Sequence, residues 1–396
     1  MKRTLIWIGA LLVGAILGLL DVAWLNAAAD FTAAVYTRLF QLLAVPTIAL
    51  AVVTTFATFG SEGSGRIFGR TLVYTLLTTL AAAAVGALLY VVIAPGSLPA
   101  EAVNQAAERA TAASAPASYI DHILSVVPNN IVRPFLEGNV LSLLLLSFAV
   151  GIGLSKLPES EHKTVVVKGL LGLQDLVFML IRGLIWALPI GIVAFAAQLA
   201  AQVSAGLVAD SLGKYVLVVL GGNVVQFFIV LPLFLLIRGL NPVYVLGRMM
   251  PAVLMALFTK SSAATLPVTM ATAEQRLGVR KETARFVLPL CTTINMNGCA
   301  AFILVTSLFV MQNGGMLLTW STILLWILIS VVSAVGNAGV PMGCFFLTLS
   351  LMSGIGAPVA ILGIILPIYT IIDMVETAEN VWSDSCVAAV VDHDFQ

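Results

Sequence analysis

The last apolar stretch of the chain, 364–391, carries Asp373, Glu376, Glu379 and Asp384, with Asn380 among them and neither lysine nor arginine. At about 100° per residue, Asp373, Glu376, Thr377, Asn380 and Asp384 share one face of a helix, and Glu379 falls off it. An ionised carboxylate inside a bilayer is costly unless it meets water, a cation or a protein partner. Lipid supplies none of these, so the face asks for cations, and its residues are expected to line a pathway or a site. Glu379 is expected to be structural or solvated by a lumen.

Two other apolar stretches, 243–274 and 316–355, are each broken by small and polar residues. In the first, Thr259-Lys260-Ser261-Ser262-Ala263-Ala264-Thr265 precedes Leu266-Pro267; in the second, Ala334-Val335-Gly336-Asn337-Ala338-Gly339 precedes Val340-Pro341. Such residues free backbone N–H and C=O groups, tolerated at membrane depth only beside protein or a water-filled cavity. One such segment reads equally as a kinked spanning helix. Two, each followed by a helix with polar residues (Thr292–Gly298 and Asp373–Asp384), favour re-entrant helical hairpins. Paired interrupted segments in two halves point to the binding site of a secondary transporter. Half-helix N-termini suit a carboxylate, and unwound carbonyls suit a hard cation such as Na⁺.

The elements that position these residues are apolar helices. Of 396 residues, 60% are hydrophobic and 10% charged, against about 25% charged in soluble domains. With a mean hydropathy of +1.07, this is an integral membrane protein. Continuous rather than alternating apolar runs exclude a β-barrel. Full helices are predicted near 4–20, 31–59, 67–94, 139–157, 164–205, 211–238, 282–312 and 358–391. The fold class is an all-α polytopic membrane protein with eight transmembrane helices and two re-entrant hairpins, arranged as inverted repeats. The connection 96–138 reads as an external loop. Lys2, Arg3, Arg66, Arg70, Lys156, Lys163, Lys168, Arg238, Arg248, Arg276, Arg280, Lys281 and Arg285 fall on one side if the spans alternate, which places both termini in the cytoplasm. Zero net charge and the lack of a basic, aromatic-studded patch argue against nucleic acid. Cys291, Cys299, Cys344 and Cys386 lack C-x-x-C spacing and are expected to be buried, inert thiols. With no histidine in an apolar span, an enzyme would have to work through Asp373 and Glu376 alone. An acid-lined cation channel is a further rival.

At these residues the chain resembles the sodium:dicarboxylate/amino-acid symporter family, the glutamate-transporter-like fold. Thr259–Met270 looks like the first hairpin's serine-rich tip, Thr293-Ile294-Asn295-Met296-Asn297-Gly298-Cys299 like the N-M-D-G-T helix, Ala338–Pro341 like the second hairpin, and Asp373–Asp384 like the last helix. Pro46 and Tyr74–Thr79 fit the second and third helices. The resemblance implies sodium-coupled, elevator-like transport by a homotrimer in lipid, with 1–238 mainly scaffold and trimerisation helices (the third helix joining the transport domain) and 239–396 the core transport domain. It implies substrate contacts at Lys260, Ser261, Ser262, Cys299, Val340, Cys344, Asp373, Glu376, Thr377 and Asn380, with Asp373 meeting an α-amino group. One sodium site would use Asp384 with carbonyls of Cys291, Asn295 and Asn380. A second would use Thr293 and the Ala334, Val335 and Asn337 region; a third, Thr78, Thr79, Asn295 and Asn297.

Two departures set expectations. The motif's aspartate is Asn297 here and its threonine Cys299, so the third sodium site loses a charge and is expected to bind weakly. Members that take acidic substrates carry an arginine where this chain has Glu376, and a glutamate repels a side-chain carboxylate. The run Asp373–Asp384 instead resembles the bacterial serine/threonine:sodium symporter branch. This implies a bacterial inner membrane and uptake of small neutral amino acids, with acidic amino acids or dicarboxylates as the alternative and H⁺ competing with Na⁺ as coupling ion. Lys260 either snorkels toward the cytoplasm or pairs with Glu376. Asp384 serves either sodium or interfacial water.

Overall fold

The computed structural model describes residues 2–20, 22–58, 65–98, 127–137, 140–204, 209–337, 339 and 342–395. Every regular element among them is helical. The first part of the chain forms α1 (Lys2–Leu19), α2 (Ala23–Thr58), α3 (Gly65–Ile93), a short α4 (Arg133–Glu137), α5 (Val140–Lys156) and α6 (Glu161–Ser204). Next, α7 (Ala209–Val225) runs through a π-helical turn, Gln226–Val230, into α8 (Leu231–Ile237). The remainder consists of broken pairs. These are α9 (Pro242–Thr259) with α10 (Ser262–Thr272), α11 (Lys281–Ile294) with α12 (Asn297–Asn313), and α13 (Trp320–Ala334) with α14 (Gly343–Gly354). The chain closes with α15 (Ala360–Asp394).

Among the described residues, four helical stretches are long and apolar enough to cross a bilayer: 66–93, 210–237, 281–313 and 320–337. The bent pair 360–366 and 368–394 adds a fifth if it is one span. The all-helical, multi-pass expectation agrees with this. One boundary differs. Hydropathy reads 282–312 as a single helix, but the backbone leaves helical geometry at Asn295 (φ −98°, ψ 69°) and Met296 (φ −108°, ψ 67°). The polar residues Thr292–Gly298 fall inside a run whose apolar flanks are long enough for one span, so hydropathy alone does not divide it.

Local chemistry starts each broken piece. Asn241 caps α9 by accepting from the N–H groups of Val243 and Tyr244, with Pro242 in the first turn. Ser261 caps α10 through Ala264 N–H, and Thr319 caps α13 through Thr322 N–H. Two non-glycine residues at the breaks, Lys260 (φ 55°) and Met342 (φ 63°), take the left-handed conformation, uncommon for residues with a Cβ. One occurs in each interrupted segment.

Packing puts the broken pairs at the centre. Except for Gln312, every residue of α12 is buried, as expected for a helix that is apolar all round. It packs against α3, α7, α13, α14 and α15. Toward the chain's N-terminal side, α1 and α2 pack on α6, and α2 on α5. Gly14 and Gly18 let α1 approach α6 closely: a Cβ at either would meet the backbone oxygen of Val193 at 2.4 Å or of Ala197 at 2.1 Å. The end of α15 is tied down by charge. Arg280 Nε donates to Asp392 at 2.8 Å, and Asp394 takes Arg238 and Tyr74, with Arg70 3.6 Å away. Arg285 near the start of α11 donates to Glu274 at 2.9 Å.

Candidate functional site

Three helix breaks and the polar face of α15 meet at one place. Ser261 Oγ donates to Gly339 O at 2.9 Å, and Ala263 N–H donates to the same carbonyl at 3.2 Å, so the tips of the two interrupted segments touch. Gly339 has φ +63°, and a Cβ there would lie 2.8 Å from Thr292 O. Glycine is needed for both the conformation and the close approach. A narrow pocket beside this contact is lined by Lys260, Ser262, Asn337, Gly339, Cys344, Asp373, Glu376, Thr377 and Asn380.

The pocket is rich in acceptors. Asp373, 3% exposed, accepts from Met342 N–H at 3.2 Å and from Tyr369 OH at 3.4 Å. The same hydroxyl lies 3.3 Å from Glu376 Oε2, whereas Glu376 Oε1 and Asn337 Oδ1 are buried with no hydrogen-bond partner among the described residues. Buried acceptors left so are costly, and both suit a ligand that brings N–H donors. Thr377 Oγ1 bonds back to Asp373 O at 2.7 Å, and Asn380 Oδ1 accepts from Gly298 N–H at 2.9 Å. Lys260 is the basic residue of the lining. It is buried rather than snorkelling, and it shares the lining with both Asp373 and Glu376. The left-handed turn at the tip of α9 aims the side chain inward.

Below the pocket lies a second polar layer. Asn295 Nδ2 donates to Asp384 Oδ1 and to Ser383 Oγ, both at 2.9 Å. Asp384 is 1% exposed and α15 continues for ten residues beyond it to Asp394, so interfacial water does not reach it. Cys291 is buried, and its carbonyl accepts Asn295 N–H at 2.8 Å. Thr78 donates to Asn295 Oδ1 at 3.1 Å, Thr79 donates to Asn297 Oδ1 at 2.8 Å, and Asn297 Nδ2 donates to Ser383 at 2.7 Å. Thr78, Thr79, Asn295 and Asn297 are thus brought together with their polar atoms engaged with one another. Thr293 Oγ1 bonds to Leu290 O at 2.8 Å, while Ala334, Val335 and Asn337 end α13 beside the pocket. Val340 lies outside the described residues.

A family model for sodium:dicarboxylate symporters matches residues 4–394. The chain belongs to the sodium:dicarboxylate symporter family. It is 29% identical over 391 residues to the neutral amino acid transporter B(0) of Oryctolagus cuniculus, covering 90% of this chain and 72% of that one. It is 26% identical over 415 residues to the excitatory amino acid transporter 2 of Rattus norvegicus, covering 92% and 72%. Sodium coupling and amino-acid or dicarboxylate transport, rather than catalysis, come with the family.

Within this family member, some features depart from the sequence reading. Cys299 and Cys344 are not inert thiols but a disulfide joining α12 to α14 beside the pocket; their Cα atoms are 5.4 Å apart. They are separated by 45 residues, so no local motif announces the pair. Cys291 and Cys386 are free and buried, as expected. Glu379, expected to be structural or solvated by a lumen, is fully buried, with an exposure of 0%. Tyr369, Ser383, Asn223 and Gln226 were missed. Tyr369 stands one turn before Asp373, and Asn223 and Gln226 are polar interruptions in an apolar span; each spacing was a usable signal.

Proposed function

We propose that this transporter imports small neutral amino acids of the serine, threonine or alanine type, coupled to sodium, by elevator-like alternating access. One observation carries the substrate class. The pocket gathers Asp373, Glu376 and the unsatisfied Asn337 Oδ1, acceptors for an ammonium group, and its lining holds no arginine for a side-chain carboxylate. The substrate's α-amino group meets Asp373, its carboxylate faces the N–H groups and hydroxyls at Ser261 and Ser262, and Glu376, Thr377, Asn380, Cys299, Cys344 and Val340 bound its side chain. Gly339 O occupies Ser261 Oγ and Ala263 N–H in this conformation, so admission of a carboxylate there requires the second tip to withdraw.

Sodium is cargo with the substrate. Asp384 with the carbonyls of Cys291, Asn295 and Asn380 forms one site, and Thr293 with Ala334, Val335 and Asn337 another; the buried Asn337 acceptor fits a cation as well as an N–H donor. The set Thr78, Thr79, Asn295 and Asn297 is saturated by its own hydrogen bonds and is the weakest candidate. The interrupted segments are re-entrant hairpins, a reading supported by the matched left-handed tips at Lys260 and Met342. Residues 239–396 form the moving core and 1–238 chiefly the scaffold of a homotrimer in a bacterial inner membrane, with cytoplasmic termini.

A second reading has its own support. Lys260, buried in the lining, offers a cation to a second carboxylate and so to dicarboxylates or acidic amino acids. Uptake of labelled serine, alanine, aspartate and succinate into proteoliposomes, with and without a sodium gradient, separates the two. Serine or alanine should accumulate. If aspartate or succinate outcompetes serine, the neutral reading falls and the second replaces it.

A further inference from the structure

Glu379 stands apart from the pocket, on the side of α15 that faces α7 and its π-helical turn. It is fully buried, and among the described residues neither carboxylate oxygen has a well-formed hydrogen bond: Gly298 N–H, the backbone donor beside it, is given to Asn380 Oδ1 at 2.9 Å. Two amides share its surroundings, and their orientation is fixed by what they donate. Asn223 Nδ2 donates to Val219 O at 2.8 Å, and Gln226 Nε2 donates to Thr78 O at 3.0 Å. Carbonyls accept only, so the nitrogen of each amide is fixed on its carbonyl and the oxygens point the other way. Asn223 Oδ1 and Gln226 Oε1 are also buried and have no partner among the described residues.

Two of these acceptors converge over Gly298. A Cβ at that residue would lie 2.7 Å from Glu379 Oε2 and 2.9 Å from Asn223 Oδ1. A carboxylate and an amide oxygen facing the same point repel each other unless something positive sits between them. Glu376, Asp384 and Cys386 on the same helix add only negative or neutral character. The second face of the site is a π-helical turn, a device often found at functional sites, pinned to α15 by Trp382 Nε1 donating to Phe227 O at 3.1 Å. A carboxylate and an amide oxygen facing one point, with the open Gln226 oxygen on the next turn, are the hard oxygen donors a hard cation takes. No cluster of three His, Cys, Asp or Glu residues among the described residues competes for a transition metal.

We propose that Glu379 and Asn223, beside the π-helical turn that carries Gln226, form a site for a monovalent hard cation, Na⁺ in the first instance, separate from the sets around Asp384 and Asn337. The proposal rests on the reading of this chain as sodium-coupled. It also accounts for the layer next door. Where Asn297 and Asn295 leave no open acceptor, the charge lies one element over, at Glu379, and Gln226 joins the two places through Thr78 O.

The test is the number of Na⁺ ions bound per chain, measured by equilibrium dialysis of the purified full-length protein with radiolabelled Na⁺, for wild type, Glu379→Gln and Asn223→Ala. Glu379→Gln keeps the shape and lets an amide N–H satisfy Asn223 Oδ1; it should bind one Na⁺ fewer. Asn223→Ala should keep the count at saturation with a several-fold weaker last ion. An unchanged count in Glu379→Gln overturns the site, including the case where a proton occupies it. Wild type binding no Na⁺ at all overturns sodium coupling itself. Should Glu379→Gln not fold, wild-type crystals soaked in Tl⁺ decide: an anomalous peak between Glu379 and Asn223 supports the site, and peaks elsewhere without one there overturn it.

Discussion

Asp373 is a buried carboxylate that already accepts from Met342 N–H and faces Lys260, so an ammonium arriving in the pocket enters a place built for positive charge. A charge-assisted hydrogen bond there contributes on the order of 1.5–3 kcal/mol, or roughly 10–150-fold in affinity. Asp373→Ala should therefore lose at least tenfold in serine affinity by calorimetry, and an unchanged value removes the assignment. Glu376, next to Asp373 at the same Tyr369 hydroxyl, bears on the ligand's side chain. Two like charges about 4 Å apart repel by about 4 kcal/mol at an effective dielectric near 20. Glu376→Arg should gain aspartate binding and lose serine, read by competition against labelled serine; a variant that still prefers serine contradicts the role. The shared face of Asp373, Glu376, Thr377 and Asn380 was legible because helical periodicity alone dictates it. The surroundings of Glu379 were not, because Asn223 and Gln226 lie some 150 residues earlier in the chain and meet it only through tertiary packing.

At the scale of elements, the breaks matter more than the spans. Ser261 serves two masters: its Oγ caps α10 through Ala264 N–H at 3.1 Å and donates to Gly339 O at 2.9 Å in the neighbouring segment. Removing such a cap costs about 1 kcal/mol, and here the tip-to-tip contact goes with it. Ser261→Ala should raise hydrogen exchange at 262–265 and around 339, while α12, buried throughout, stays protected; equal protection in the variant would show that the hydroxyl does not latch the tips. Both interrupted segments were legible from Gly, Ser and Pro inside apolar runs. The break at Asn295–Met296 was not, since Asn-Met-Asn sits in an apolar stretch long enough to be one helix. The Cys299–Cys344 link escaped for a related reason: spacing along the chain carries no information about α12 meeting α14.

At the scale of the whole molecule, charge decides the coupling. The buried face of α15 holds Asp373, Glu376, Glu379 and Asp384, all at most 3% exposed, and Lys260 is the basic residue within the pocket. If all are ionised, a body carrying them has an excess of negative charge that a low-dielectric barrier opposes strongly. Cations travelling with the substrate remove that excess. The end of α15 is anchored by Arg280 to Asp392 and by Arg238 and Arg70 to Asp394, which ties it to α3 and to the ends of α8 and α11. Uptake of serine into proteoliposomes should therefore follow the sodium gradient and collapse when internal and external Na⁺ are equal and no membrane potential is applied. Asp384→Asn should lower apparent Na⁺ affinity far more than it alters the ranking of substrates, because Asp384 lies in the layer beneath the pocket and bonds to Asn295 rather than to the pocket lining. Protons neutralise carboxylates as well as sodium does, so the decisive control is a pH gradient in sodium-free buffer. Accumulation driven equally well by that gradient would show that the carboxylates move protonated and that sodium is not the coupling ion.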